Sequence, residues 1–110
     1  MASSGYTYEV SLRLVGKRDG SVPDEPAVLT FEHFNHDDII DIVERMRRTT
    51  GLAPDAAAAA AVGLKLLGEV MLREKRNALF DPLRTAFRTF ITSLKSRAAG
   101  DADFLDRSAV

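Results

Sequence analysis

Apolar and polar side chains alternate along the first part of the chain, which is the pattern of half-buried β-strands. Apolar residues occupy every second position of residues 6–14, and a second alternating run covers residues 27–34. In the second run Leu29 and Phe31 mark the expected core face. Residues 16–26 contain two glycines and two prolines, so they predict a loop too long for a tight turn. We therefore expect an antiparallel hairpin with a wide loop.

The period of the pattern changes to about 3.6 residues after the second strand, which predicts a first helix over residues 36–50. Asn35 is the expected N-cap of this helix, and Gly51 is the glycine expected to end it. The inward stripe of the helix is expected to consist of Ile39, Ile42, Val43 and Met46.

A second helix is predicted over residues 54–75, with Pro54 in its first turn. Six consecutive alanines open it, and a run rich in leucine follows. A narrow stripe of Lys65, Glu69 and Arg73 supplies its polar side chains. A helix that is apolar over most of its circumference must be covered on most sides. We expect one chain of 110 residues to be too small to cover it.

Two glycines, Gly63 and Gly68, lie inside this predicted helix. Each costs about 1 kcal/mol of helix propensity relative to alanine, so we expect another backbone or side chain to approach closely there. Their spacing is that of a phosphate-binding loop, but Glu69 stands where that motif needs a lysine. The motif also belongs between a strand and a helix, so we reject this interpretation.

A third amphipathic helix is predicted from Asp81 and Pro82 to about Gly100. Its apolar positions are Leu83, Ala86, Phe87, Phe90, Ile91 and Leu94. The elements together predict one α+β domain over residues 1–100, a two-stranded antiparallel hairpin followed by three helices in the order β-β-α-α-α. Residues 101–110 contain three aspartates and are expected to form a disordered acidic tail.

Charge and composition exclude several classes of protein. Fifteen Lys and Arg residues against sixteen Asp and Glu residues give a net charge of −1, which argues against nucleic-acid binding. The chain has no cysteine, which excludes disulfides, thiolate metal sites and cysteine nucleophiles and agrees with a reducing compartment. We find no signal peptide and no apolar run long enough to span a membrane. These observations favour a cytoplasmic protein.

Catalytic and metal-binding patterns are missing from the sequence. His33 and His36 are its two histidines, and they lie on either side of the predicted junction between strand and helix, so their rings need not converge. The acidic residues that follow them are better explained as the start of a helix. No serine has a nucleophile-elbow motif. We therefore expect no catalytic residue, no metal site and no cofactor.

Four positions are candidates for a ligand site, if a cleft forms between the hairpin and the helices. They carry cationic or titratable side chains and are Arg13, His33, His36 and Arg84.

Several short segments resemble a small bacterial family of uncharacterised proteins, a domain-of-unknown-function family. They are Leu-Thr-Phe-Glu at residues 29–32, Asn-His-Asp-Asp-Ile at 35–39, Val-Glu-Arg at 43–45 and Gly-Leu-Lys-Leu-Leu-Gly-Glu-Val-Met-Leu at 63–72, followed by Leu79, Phe80, Leu83, Phe87 and Phe90. The likeness covers residues 6–95. It implies a compact α+β fold of two strands and helices, with no established activity and no site residues to transfer.

Two functional hypotheses remain. An isolated two-stranded sheet is marginally stable and has two free edges, and the second helix is too apolar for one chain to cover, so we expect a homodimer. The first hypothesis is a homodimeric, non-enzymatic interaction or regulatory module. The alternative is a small-molecule-binding protein or an unusual enzyme with a cleft between hairpin and helices. The expected interface residues are Gly63, Leu64, Leu67, Gly68 and Met71.

Overall fold

The structure, a computed structural model, describes residues 4–97. It confirms the predicted α+β order of a hairpin followed by three α-helices, with one short 3₁₀ turn, Ala78–Phe80, before the last helix. The elements are β1 (Tyr6–Arg13), β2 (Val28–Asn35), α1 (Ile39–Thr49), α2 (Pro54–Arg73) and α3 (Asp81–Arg97). The predicted end of the third helix near Gly100 and the predicted acidic tail at residues 101–110 lie outside the described residues.

The hairpin is antiparallel, and most of its apolar side chains lie on one face, as the alternation predicts. Leu12 lies opposite Leu29 on this face, and Val10 lies opposite Phe31. Burial rises along β2 from its exposed first residues to Asn35, because the helices contact only the last part of the strand. The expectation that Leu29 and Phe31 lie in the core is therefore wrong for the single chain.

Helix α1 begins three residues later than its pattern predicts. Asp38 is the N-cap, since its carboxylate accepts a hydrogen bond of 3.0 Å from the backbone N–H of Asp41. The prediction of Asn35 as the cap is wrong, because Asn35 is buried before the helix starts. The predicted end is confirmed by the positive φ of 75° at Gly51. The predicted inward stripe is also confirmed, with Ile39, Ile42 and Met46 buried and Val43 half-buried.

Helix α2 packs against α1 through small side chains. Ala57 and Ala61 are fully buried, and Ala61 contacts Ile42 and Met46 in the main apolar core. Because alanine is short, the two helix axes can approach closely along this line. The alanine run thus supplies the surface of α2 that contacts α1, in addition to its high helix propensity.

The rest of α2 reverses the usual orientation of an amphipathic helix. The side chains of Lys65 and Glu69 are buried, whereas Leu67, Val70 and Leu72 are 37%, 41% and 54% exposed. The polar stripe therefore packs against the protein, and part of the apolar circumference faces outward. This exposure agrees with the expectation that one chain does not cover the helix. No helix in the described part of the chain is long and apolar enough to cross a membrane.

Helix α3 packs against α2 at one of the two glycines. A Cβ atom built on Gly68 would lie 3.3 Å from Cζ of Phe87, closer than most real contacts, so the absence of a side chain permits this packing. Apart from its chain neighbours and the adjacent backbone of α2, no atom of the described residues lies within 4 Å of the corresponding position at Gly63. The expected close approach is confirmed at Gly68, and at Gly63 it stays a prediction about a partner molecule.

We predict that the two glycines of α2 respond differently to alanine. Gly63→Ala should raise the free energy of unfolding by about 0.5–1 kcal/mol, because alanine has the higher helix propensity and has free space there. Gly68→Ala should raise the free energy of unfolding by less, or lower it, because Phe87 must move to make room for the methyl group. Urea unfolding at one low protein concentration measures both values. Equal gains at the two positions would show that Phe87 does not pack on Gly68.

Candidate functional site

A group of buried polar side chains joins the end of β2 to α2. We call it the junction cluster, and it consists of the buried Asn35, Asp37, Lys65 and Glu69 together with the more exposed His36. Asn35 is 1% exposed; its side-chain oxygen accepts from the backbone N–H of Asp37 at 3.0 Å, and its amide nitrogen donates to the carbonyl of Lys65 at 2.9 Å. An asparagine suits this position because one side chain supplies both an acceptor and a donor.

Lys65 and Asp37 form a buried ion pair at the centre of the cluster. The Nζ of Lys65 lies 2.6 Å from Oδ2 of Asp37, and each side chain is 8% exposed. A buried pair of this kind contributes little net stability, because both charges lose their hydration, but removal of one partner leaves a costly unpaired charge. The pair therefore disfavours any packing of strand and helix that keeps one of the two charges buried without the other.

Glu69 accepts hydrogen bonds from three donors. Nδ1 of His36 lies 3.1 Å and 3.0 Å from its two carboxylate oxygens, the backbone N–H of His36 donates at 3.3 Å, and Nε of Arg73 donates at 3.3 Å. Burial by itself raises the pKa of Glu69, but the hydrogen bonds from His36 and the positive charges of His36 and Arg73 outweigh it, so the pKa is lowered. Glu69 is therefore a buried carboxylate held in its ionised form.

Tyr8 connects β1 to the start of α1. Its hydroxyl donates to the carbonyl of Asp37 at 3.0 Å and accepts from the backbone N–H of Ile39 at 2.8 Å. Burial is the main cause of the raised pKa of Tyr8, and the nearby carboxylate of Asp38 adds to it. The phenol is therefore neutral and keeps the proton that it donates.

His33 lies beside the cluster and is half-buried. Its Nε2 is 3.1 Å from the side-chain nitrogen of Asn35. Burial lowers the pKa of His33, and the charge of Arg73 lowers it further, whereas Glu69 opposes the shift. The neutral ring can accept the second N–H of the Asn35 amide, so His33 supports the cluster.

A cleft of about 270 Å³ opens beside the junction cluster, between the β2–α1 connection, α2 and α3. The junction cluster lines one wall, and the other wall consists of Leu64, Gly68, Leu72, Phe87 and Ile91. The expectation of a cleft between the hairpin and the helices thus corresponds to a space at the strand end. Among residues 4–97, no three His, Asp or Glu side chains are placed to hold a metal ion.

The four predicted ligand residues do not converge. His33 and His36 lie at the junction, but Arg13 is paired with Val28 at the far end of the hairpin. Arg84 donates to the carbonyls of Met71 at 3.2 Å and Glu74 at 2.8 Å, at the end of α2, and to that of Asn77 at 3.1 Å in the connection that follows. Its guanidinium therefore serves as a cap of α2, where a cation complements the helix dipole.

The predicted interface residues separate into two groups. Gly63 and Leu67 are exposed on α2 and remain available to a partner. The other three are used within the chain: Leu64 packs against the α1 core, Gly68 against Phe87, and Met71 is buried. The difference arises because α1 and α3 cover adjoining sides of α2 and leave the side of Gly63 open.

Four residues of the junction cluster have other predicted roles in the sequence. Their pattern predicts that Asn35 and Asp37 start a helix and that Lys65 and Glu69 form a polar stripe. One signal was present, because three charged residues at steps of four interrupt an otherwise apolar helix. Such a stripe faces either water or a polar partner, and the sequence contains no pattern that distinguishes these two cases.

The fold and its buried cluster define a small α+β protein in which a hairpin is joined to a helical layer by paired charges. The chain belongs to the family described as a domain of unknown function with a solved structure, DUF3861, whose model matches residues 6–96. This finding confirms the predicted resemblance to a domain-of-unknown-function family.

One solved structure shares the fold. It is a protein of unknown function from Pectobacterium atrosepticum, with a TM-score of 0.72 and 29% sequence identity. The similarity covers 84% of this chain and 99% of that chain. No curated protein matches the chain at a significant level.

We predict that removal of one member of the buried ion pair strongly destabilises the fold, whereas replacement of both members by apolar residues does not. Lys65→Met should destabilise the fold by about 3–5 kcal/mol, because the carboxylate of Asp37 is left buried without a counter-charge. The double variant Lys65→Met/Asp37→Leu should recover most of this loss. Chemical denaturation of wild type, both single variants and the double variant measures the coupling. Additive losses in the double variant would contradict the pairing.

We also predict that Glu69 stabilises the fold in a pH-dependent way. Since its pKa in the folded state is below its ordinary value of 4.5, its contribution is complete above that pH and is lost as the pH falls through the folded-state pKa. The difference in unfolding free energy between wild type and Glu69→Gln should therefore shrink between about pH 6 and about pH 3. Parallel stability profiles would show that Glu69 is not stabilised as an anion.

Proposed function

We propose that the protein is a homodimeric, non-enzymatic interaction or regulatory module of the bacterial cytoplasm. The observation that carries the proposal is the distal apolar face of the hairpin, which we define as Leu12, Leu29 and Phe31. These side chains are 68%, 57% and 42% exposed, although they lie on the same face of the hairpin as the half-buried Tyr8 and His33.

Each exposed side chain on this face has apolar neighbours, so the face is continuous. Leu12 and Leu29 are directly opposite each other in the register, and Phe31 is two residues further along β2. The burial of one leucine or phenylalanine side chain contributes about 1.5–3 kcal/mol, so a partner that covers the three gains several kcal/mol. Clustered exposure of this kind is a mark of interaction surfaces.

The sheet itself supports association. Within the described residues it contains two strands, so β1 and β2 each leave one edge unpaired. Unpaired edges offer backbone donors and acceptors to another strand. A second apolar surface lies on α2, where Leu67 and Val70 are exposed beside Gly63.

A second copy of the chain is the partner that these surfaces favour. Twofold symmetry places the same apolar face on both subunits, so one self-complementary contact covers two exposed faces at once. The net charge of −1 gives little repulsion between copies. The absence of cysteine agrees with a reducing cytoplasm, and the similar protein from Pectobacterium atrosepticum supports a bacterial origin.

We predict that a charge on the distal apolar face weakens the dimer. Leu29→Lys should raise the dissociation constant at least tenfold, because the ammonium group must lose its hydration in the interface. Analytical ultracentrifugation over a range of protein concentrations measures this constant.

Val28→Lys is the matched control. Val28 is the preceding residue and is 53% exposed, against 57% for Leu29, but it lies on the opposite face of the hairpin. Val28→Lys should therefore leave the dissociation constant of the dimer unchanged. A wild-type chain that sediments as a monomer at high concentration would overturn the proposal, and equal effects of the two variants would show that this face is not the interface.

A further inference from the structure

A groove between α2 and α3 has an apolar floor and a basic rim, and we call it the basic groove. Its volume is about 280 Å³, against roughly 150 Å³ for a protein cavity that holds benzene. The floor is formed by Met71, Leu72, Phe87 and Ile91. The rim carries three cationic side chains, Lys75, Arg84 and Arg88. No Asp or Glu side chain among residues 4–97 lines this groove, so its charge favours an anion.

Arg84 belongs to the fold and removes an unfavourable charge from the groove. The carboxyl end of a helix carries partial negative charge, which would repel an anion near the end of α2. The guanidinium of Arg84 donates to the carbonyls of Met71 and Glu74 at that end, at 3.2 and 2.8 Å. Because these carbonyls are satisfied by a cation, the end of α2 does not exclude an anion from the space beside Lys75.

Lys75 and Arg88 are the two cations of the rim that are free to bind a ligand. Their side chains are exposed, and neither forms a hydrogen bond or an ion pair with the residues that the structure describes. A guanidinium group can donate two parallel N–H bonds to a carboxylate, and an ammonium group adds a compact positive charge. Both side chains can therefore contact a bound carboxylate without the loss of a contact in the fold.

The apolar floor continues from the basic groove into the cleft beside the junction cluster. Both spaces are lined by Gly68, Leu72, Phe87 and Ile91. A Cβ atom on Gly68 would lie 3.3 Å from the Phe87 ring, so the glycine lets this ring lie against α2 as part of the floor. From Leu64 in the cleft to Leu72 in both spaces, the apolar surface extends about 12 Å along α2. An elongated surface of this kind suits an unbranched apolar chain.

The charges at the two ends of this surface orient such a ligand. The carboxylates of Asp37 and Glu69 line the cleft but not the basic groove, whereas Lys75 and Arg88 line the basic groove but not the cleft. An acid group is therefore repelled at the junction and attracted at the other end. The apolar chain can extend along the shared floor, where its burial from water is favourable.

We propose that the basic groove binds a free fatty acid of medium chain length. The carboxylate lies between Lys75 and Arg88, and the chain packs along Leu72, Phe87 and Ile91. The proposal does not rest on self-association, because the groove and the distal apolar face of the hairpin share no residue.

Octanoate, at concentrations where it is monomeric, is the probe that tests the proposal. Isothermal titration calorimetry should show one saturable site per chain. Affinity should increase about two- to fourfold for each methylene group added from hexanoate to decanoate, because each group buries more apolar surface. The neutral molecule 1-octanol should bind about fivefold more weakly than octanoate, since it lacks the charge that Lys75 and Arg88 attract.

Two double variants that remove the same net charge test the position of the site. Lys75→Gln/Arg88→Gln should weaken octanoate binding about tenfold, because both cations of the carboxylate site are lost. Arg76→Gln/Arg97→Gln removes two exposed cations that do not line the groove, and it should leave the affinity within about twofold of wild type. The unfolding midpoint of each variant shows whether it is folded under the conditions of the titration.

Four results would overturn the proposal. The first is the absence of saturable octanoate binding, and the second is an equal affinity for octanoate and 1-octanol. The third is an equal loss of affinity in the two double variants, which would show that the cations act through net charge alone. The fourth is cosedimentation with phosphatidylglycerol vesicles without any binding of monomeric octanoate, which would assign the basic groove to an anionic membrane surface.

Discussion

The structure depends on a small set of buried polar contacts at the point where the hairpin meets the helices. Lys65 and Asp37 neutralise each other there, and Asn35 joins the two segments through hydrogen bonds to both. Because the helices contact only the end of β2, few apolar contacts hold the hairpin in place. Its orientation is therefore set by groups that would be costly to separate, more than by the area of apolar surface that it buries.

This arrangement explains the unusual orientation of α2. The side of the helix that carries Lys65 and Glu69 must face the junction, so its apolar residues are distributed among the other sides. Ala61 packs on α1, and Gly68 packs on α3. The side that carries Gly63 has no neighbour within the described residues, because Gly63 and Lys65 lie about 160° apart around the helix.

The two proposals rest on different consequences of the same constraint. The hairpin is held at one end, so its distal apolar face extends past the helices and is left for a second molecule. The charges at the junction also turn the Gly68 side of α2 toward α3, so that an apolar floor and the cations Lys75 and Arg88 meet along one groove. Self-association and ligand binding are thus separable properties, and a variant that removes one need not affect the other.

The local pattern of the chain determined which segments form strands and helices, and most of its predictions are confirmed. Periodicity reports which residues share a face, as it did for Ile42 and Met46 of α1 and for Leu29 of the hairpin. It does not report what lies opposite that face, so Leu29 was expected in the core and is 57% exposed. Tertiary packing decided that question, because the helices reach only one end of the hairpin.

The polar site also depended on tertiary structure. The sequence shows a stripe of charges on α2 and acidic residues after β2, but these segments are about thirty residues apart along the chain. Each is fully explained by local roles, as a solvated stripe or a helix start. Their pairing follows from the crossing of α2 over the end of β2, and nothing in the local pattern of either segment encodes that crossing. Charges become partners when the fold removes their water, and that depends on three-dimensional proximity.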